Sequence, residues 1–180
     1  MKNKFNLLPV FSILLFFASC VKDTDFDQAD DIVITPVLEV DFVFFTLDAS
    51  DYVDPDSGDF RLMVSDTTNL NFLDGTFVQE DLKRAEFTFN FTNGINQNFN
   101  TEFRFLNDND QVRYEFTIPV ASGSVNSPVI TNHIENIENE GIIELTKATK
   151  VVINVITPTS LENQGGTLNL QSKTTYFLEI

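Results

Sequence analysis

Residues 84–120 decide the fold, and their sequence is RAEFTFNFTNGINQNFNTEFRFLNDNDQVRYEFTIPV. Aromatic and aliphatic residues alternate with polar ones in three segments of this stretch, at 85–91, 99–105 and 112–118. Strict alternation with a period of two is typical of a β-strand with one buried face and one solvated face. The connectors at 92–98 and 106–111 are rich in Asn, Asp and Gly, which tolerate turn conformations. The stretch therefore predicts a three-stranded antiparallel meander with an aromatic wall on its buried face.

Charged side chains on the polar face suggest how these strands pair. If Phe91 lies opposite Phe99, then Glu86 falls opposite Arg104. If Phe105 lies opposite Tyr114 in the second hairpin, then Arg104 falls opposite Glu115 as well. Opposed charges contribute roughly 0.2–1 kcal/mol per pair, so they bias the register. Burial of the aromatic side chains, at about 1.5–3 kcal/mol each, is the larger contribution.

Two further alternating segments precede the meander. In the first, four apolar residues share one parity, which predicts that all four face the same side of a strand: Leu38, Val40, Phe42 and Phe44. The second segment, residues 60–72, has apolar residues at both ends and a polar run at 65–69, which predicts a hairpin.

About eight or nine short strands and no long helix are predicted for residues 32–180. Such a pattern is typical of an all-β protein, and we expect a single antiparallel β-sandwich domain over residues 32–180. Its connections are expected to be immunoglobulin-like or of a related Greek-key type. A small β-barrel is the alternative.

The composition limits the classes of partner. The 180 residues include 11 basic and 27 acidic side chains, for a formal net charge of −16. This balance argues against a nucleic-acid partner, because phosphate backbones require clustered Lys and Arg. It argues equally against electrostatic binding to an anionic membrane surface. The single cysteine, Cys20, excludes a disulfide within the chain.

The first 20 residues have the three parts of a secretory signal. Lys2 and Lys4 form a positive region, residues 7–17 are a short apolar run, and two small residues precede Cys20. The sequence FASC at residues 17–20 resembles the lipobox of bacterial lipoproteins, with Phe where the family usually has Leu. The resemblance implies a signal peptide over residues 1–19, acylation of Cys20 and stable anchoring to a membrane. An ordinary secretory signal with an incidental cysteine is the alternative.

Residues 20–31 are acidic and without periodicity, which predicts a disordered tether after the lipidated cysteine. Val21 stands where an Asp would resemble the inner-membrane retention signal of enteric bacteria. The sequence KDTDFD at residues 22–27 resembles the export tether of surface lipoproteins in the Bacteroidota. The resemblance implies a lipoprotein of the outer membrane, on the periplasmic leaflet or on the cell surface.

An acidic loop at residues 48–59 is the candidate metal site. It contains four aspartates that could supply carboxylate oxygens to calcium, which takes six to eight oxygen ligands: Asp51, Asp54, Asp56 and Asp59. The spacing does not match an EF-hand, because Gly58 falls at the third ligand position and no Glu closes the loop. A solvated acidic loop without a metal is the alternative interpretation.

Other chemistry has little support in the sequence. The chain has one histidine, His133, which would need a nucleophile and an orienting acid beside it to act as a general base. No Gly-x-Ser-x-Gly motif is present. The chain has no Trp, so an aromatic platform for carbohydrate would have to come from Tyr52, Tyr114 or Tyr176.

These observations predict a non-enzymatic, lipid-anchored binding module of the bacterial envelope. Its partners would be the membrane through Cys20 and an envelope protein or extracellular ligand, with loops at the sandwich ends as the contact surface. A periplasmic structural or assembly accessory is the second hypothesis. A carboxylate-dependent hydrolase is the third.

Overall fold

The alternating phenylalanines line the interior of a computed structural model, which describes residues 33–73, 75–161 and 164–180. The predicted signal peptide, Cys20 and the tether lie outside the described residues. Residues 34–180 form one compact unit. None of the helices within the described ranges has the length and hydropathy of a membrane span.

Eight strands account for most of the described residues. In chain order they are β1 (Val37–Leu47), β2 (Met63–Asn69), β3 (Leu82–Asn93), β4 (Phe99–Leu106), β5 (Val112–Val120), β6 (Val129–Glu138), β7 (Lys150–Ile156) and β8 (Leu168–Leu178). A 3-10 helix (Ala49–Tyr52) follows β1, the helix α1 (Thr76–Asp81) precedes β3, and the helix α2 (Glu140–Leu145) follows β6.

The strands form two antiparallel four-stranded sheets. The first sheet has the order β1-β8-β3-β6 and the second the order β2-β7-β4-β5. This nested order is that of a jelly roll, which combines two Greek keys. The predicted β-sandwich is confirmed, and its connections are of the Greek-key type rather than the immunoglobulin type.

The predicted meander is wrong in its first hairpin. Strand β3 belongs to the first sheet, whereas β4 and β5 belong to the second. The phenylalanines of β3 therefore meet those of β4 across the interior, and the ring centroids of Phe89 and Phe103 are 4.5 Å apart. Glu86 accepts a hydrogen bond from Arg84 of its own strand instead of facing Arg104. Period-two alternation shows which face of a strand is buried, but it does not show which strand pairs with it.

The second hairpin has the predicted register. Phe105 lies opposite Tyr114, and Arg104 lies opposite Glu115. The guanidinium Nε of Arg104 is 3.7 Å from a carboxylate oxygen of Glu115.

The predicted hairpin within residues 60–72 is a single strand. Residues 65–69 form most of β2, which pairs with β7 along its whole length. β2 is an edge strand with most of its side chains exposed, so a polar run within it does not require a turn.

The crossover from β3 to β4 depends on the buried side chain of Asn93. Its amide nitrogen donates to the carbonyl oxygens of Gln97 (2.7 Å) and Ala121 (2.8 Å). Its amide oxygen accepts a hydrogen bond from the backbone N–H of Ile95 at 2.9 Å. A Cβ at Gly123 would lie 1.9 Å from the carbonyl oxygen of Asn93, so only glycine allows the loop after β5 to approach this closely. One amide thus joins two connections between the sheets.

We expect Asn93→Asp to destabilise the protein by about 3 kcal/mol, because a buried carboxylate would face two carbonyl oxygens that lose their donors. The matched control is Asn100→Asp on the exposed face of β4, which we expect to change stability by less than about 0.5 kcal/mol. Chemical denaturation of both variants measures the difference. Equal stability of the two variants would contradict the role assigned to Asn93.

A β-bulge in β1 places two aromatic residues on opposite faces. The register against β8 shifts between Asp41 and Phe44. The bulge is held at Val43, whose backbone N–H donates to Ser172 Oγ (2.9 Å) and whose carbonyl accepts from the same hydroxyl (2.7 Å). Phe42 points into the core, with its ring centroid 4.9 Å from that of Phe87. Phe44 is 55% exposed, so the prediction that both rings share a face is wrong. An extra residue at a bulge changes the parity of the residues after it.

The bulge predicts unequal effects of two similar substitutions. Phe42→Ala should cost about 3 kcal/mol of stability, because it leaves a cavity among packed rings. Phe44→Ala should change the free energy of unfolding by less than about 0.5 kcal/mol, because the ring is on the surface. Urea denaturation of the two variants measures both values. A large loss for Phe44→Ala would mean that the ring packs in the core.

Candidate functional site

The candidate site is on the outer face of the first sheet, the side that points away from the second sheet. A single row of directly opposed residues crosses all four strands there. It runs from Phe44 on β1 to Gln171 on β8, Asn90 on β3 and Asn132 on β6. We call Gln171, Asn90 and Asn132 the amide row. With neighbouring strands about 4.8 Å apart, the four side chains span about 14 Å.

The amide row retains free hydrogen-bonding capacity. Asn90 donates from Nδ2 to Oδ1 of Asn132 at 2.6 Å, which leaves the oxygen of Asn90 and the nitrogen of Asn132 available. The side chain of Gln171 makes no hydrogen bond to another residue that the structure describes. Each amide can both donate and accept. The row therefore offers donors and acceptors side by side on a rigid sheet.

Phe44 borders a shallow depression of about 240 Å³ on this face. Among the aromatic side chains that the structure describes, that of Phe44 is the exposed one. The lining residues include Asp41, Thr88, Asn90, Gln171 and Lys173. An apolar ring beside convergent polar groups is typical of a ligand site.

The charged groups around the depression leave no surplus positive charge. Asp41 lies opposite Lys173 in the neighbouring row, and the ammonium of Lys173 is 2.6 Å from a carboxylate oxygen of Glu39.

At the other end of the face, Ile130 and Ile134 flank Asn132 and are 61% and 54% exposed. The face is thus polar in its centre and apolar at both ends.

Carboxylates of the acidic loop accept hydrogen bonds from backbone N–H groups of the same loop. Asp48 caps the 3-10 helix, with Oδ1 accepting from the N–H of Ser50 at 2.7 Å, and Asp51 accepts from the N–H of Asp48 at 2.8 Å. Asp54 accepts from the N–H of Asp56 (3.0 Å) and of Ser57 (3.1 Å). These hydrogen bonds lower the pKa of Asp54, and those from Ser50 lower the pKa of Asp48.

The structure does not bring the predicted calcium ligands together around one point. Within residues 33–73, 75–161 and 164–180, no group of three or more His, Cys, Asp or Glu side chains is placed to hold a metal ion. Two of the four aspartates, Asp51 and Asp54, use carboxylate oxygens as acceptors within the loop. Calcium binding by Asp51, Asp54, Asp56 and Asp59 stays a prediction.

A second polar cluster joins the two sheets where β5 and β6 form their edges. Glu135 accepts from the hydroxyl of Tyr114 at 2.6 Å through one oxygen, and its other oxygen is 3.2 Å from Nε2 of His133. The imidazole stacks on Phe116, with ring centroids 6.1 Å apart. Burial and the hydrogen bond to Glu135 raise the pKa of Tyr114. Both oxygens of Glu135 are therefore engaged, and the cluster links the two edge strands β5 and β6.

The tyrosines expected as a carbohydrate platform are placed elsewhere. Tyr52 and Tyr176 are buried in the core, so that expectation is wrong for both. Tyr114 is part-buried and directs its hydroxyl at Glu135. Among the described aromatic rings the exposed one is Phe44, which the sequence pattern placed on the same face as Phe42 because the two share a parity. The only local signal is the unbroken apolar run from Phe42 to Phe45, in which strict alternation fails.

Comparison with known proteins gives partial likenesses. No protein-family model matches the sequence, and no curated protein is detectably similar to it. A Parabacteroides distasonis protein described as secreted shares 14% identity over 63% of this chain and 37% of its own, with a TM-score of 0.47. A structure of the Gx strain of infectious bursal disease virus shares 8% identity over 81% of this chain and 32% of its own, with a TM-score of 0.43.

The chain thus spans only about a third of the length of these two structures. The jelly-roll assignment rests on the strand order of the chain itself.

Proposed function

We propose that this chain is a non-enzymatic binding module, anchored to the outer membrane by a lipid on Cys20, and that the outer face of the first sheet is its binding surface. The observation that carries the proposal is the exposed ring of Phe44 in line with amides that are not fully paired. The ring borders a depression lined by several polar side chains, and an apolar surface with a few convergent polar groups is the arrangement found in ligand sites.

The outer face of the second sheet provides a contrast. There Ser65 donates to the side-chain oxygen of Asn154 at 2.6 Å, and Asn154 donates to Glu102 at 3.2 Å. Arg104 and Glu115 pair in a neighbouring row. These polar side chains pair with one another, and among the residues that the structure describes no aromatic ring of that face is exposed. The first sheet differs because it exposes the ring of Phe44.

The non-enzymatic part of the proposal is supported by how the acidic groups are used. Glu135 already has a partner at each oxygen, and Asp51 and Asp54 accept backbone N–H groups. A carboxylate-dependent hydrolase needs one acid and one base facing a common substrate. Of the described residues that line the depression, Asp41 is the one that carries a carboxylate.

One observation favours the accessory role as a second candidate function. β6 is an edge strand of ten residues with exposed Ile130 and Ile134, and such a strand can pair with an extended segment of another protein. In that case the partner would be an envelope protein.

The anchor is tested by fractionation. Cys20→Ala should move the protein from the membrane fraction to the soluble fraction, because acylation of that thiol is the proposed membrane contact. Cys20→Ser is a second variant that separates loss of the thiol from a change of size. Retention of both variants in the membrane fraction would overturn the anchor. Digestion by an impermeant protease in intact cells would place the domain on the cell surface, and digestion only after lysis would place it on the periplasmic leaflet.

The binding surface is tested by site-specific photocrosslinking in cells. A benzophenone amino acid at position 44 should form adducts with a bound ligand or partner. The same group at Thr117, on the exposed face of β5 in the second sheet, is the matched control and should form none. Adducts at neither position, or equally at both, would overturn the choice of surface.

A further inference from the structure

The chemistry of the candidate face also indicates what it binds. We infer that Phe44 and the amide row take a neutral oligosaccharide, with one sugar ring against the phenyl ring and hydroxyl groups against the amides. The inference rests on the proposed function, because it assigns a ligand class to the same surface.

The phenyl ring of Phe44 favours a ligand that presents an apolar face to it. Phenylalanine has no hydrogen-bonding group, so its ring packs well against a partner that presents C–H groups to it. A sugar ring meets this requirement, since C–H groups lie on its faces and hydroxyl groups lie around its edge. A ligand that is polar on every side would leave the ring without a favourable contact.

The amides select for hydroxyl groups. A hydroxyl both donates and accepts, and each Asn or Gln side chain offers both kinds of group. The free oxygen of Asn90 and the free nitrogen of Asn132 are adjacent because the two side chains are joined by a hydrogen bond. Gln171 lies between Phe44 and Asn90 and adds another donor and acceptor. A neutral polyol can satisfy these groups without bringing a charge.

Charge argues against an anionic ligand. Among the described residues that line the depression, Lys173 is the one cation, and it already pairs with Glu39. Asp41 lies opposite Lys173, so the centre of the face offers no surplus positive charge. With a net charge of −16, the chain as a whole repels polyanions.

The dimensions favour a chain of sugars over a single one. The row from Phe44 to Asn132 extends for about 14 Å across four strands. The depression of about 240 Å³ is shallow and on an open sheet face, so it does not enclose a small molecule. Binding to an open surface relies on several weak contacts in line, which only an extended ligand can make.

The test uses the full chain purified from membranes in detergent. A panel of neutral polysaccharides (an α-glucan, a β-glucan, a galactomannan and a xylan) is screened beside the anionic polygalacturonate, and each ligand found is titrated by calorimetry. We expect binding of at least one neutral glycan. Phe44→Ala and Gln171→Ala should each weaken that binding about tenfold, whereas Asn100→Ala on the second sheet should leave it unchanged. Thermal melts confirm that the variants are folded.

Three outcomes would overturn the inference: binding of no neutral glycan, binding only of the anionic glycan, or neutral binding that is insensitive to Phe44→Ala and Gln171→Ala. Photocrosslinking at position 44 separates this failure from that of the proposed function. Adducts with an envelope protein at position 44, together with no glycan binding, would leave the binding surface in place and change the ligand class to protein.

Discussion

The two sheets are held together by a layer of phenylalanine rings, and the rest of the structure depends on its packing. Six rings of β3 and β4 are buried: Phe87, Phe89, Phe91, Phe99, Phe103 and Phe105. Phe89 contacts Phe103, and Phe87 contacts Phe105 with centroids 5.4 Å apart, so each sheet supplies half of the layer. At about 1.5–3 kcal/mol per buried side chain, this layer is a large share of the stabilising free energy. β3 and β4 must therefore lie in opposite sheets, even though only a short loop separates them.

The same layer explains why an aromatic ring is exposed on the surface. Phe42 completes the layer beside Phe87 and Phe105. Val43 also faces inward, with its backbone bonded to Ser172, so two consecutive residues point to the interior and the strand bulges. The next residue, Phe44, must then point outward. A requirement of the core thus places a phenyl ring on the outer face of the sheet, in line with Gln171, Asn90 and Asn132.

The features that could be predicted from the sequence are those that depend on residues close together in the chain. The register of β4 against β5 follows from alternation and from a tight turn in which Asn107 accepts from the N–H groups of Asn109 and Gln111. The separation of β3 from β4 could not be predicted in this way, because it depends on Asn93 reaching the carbonyl of Ala121, 28 positions away. The exposure of Phe44 likewise depends on Ser172 in the last strand. The strands themselves can be predicted from local sequence, but long-range hydrogen bonds determine which strand lies beside each one and which of its side chains face the core.

The position of the candidate site on a sheet face has a physical consequence for recognition. Loops at the sandwich ends were the expected contact surface, but the acidic loop uses the carboxylates of Asp51 and Asp54 to order its own backbone. On the sheet, the spacing of Phe44 and the amide row is fixed by ladder hydrogen bonds on both sides of β8 and β3. Backbone positions held in this way lose little further entropy when a ligand binds, which matters most for a shallow surface with few contacts. A rigid row can therefore select an extended ligand by the spacing of its groups, where a flexible loop would have to be ordered first.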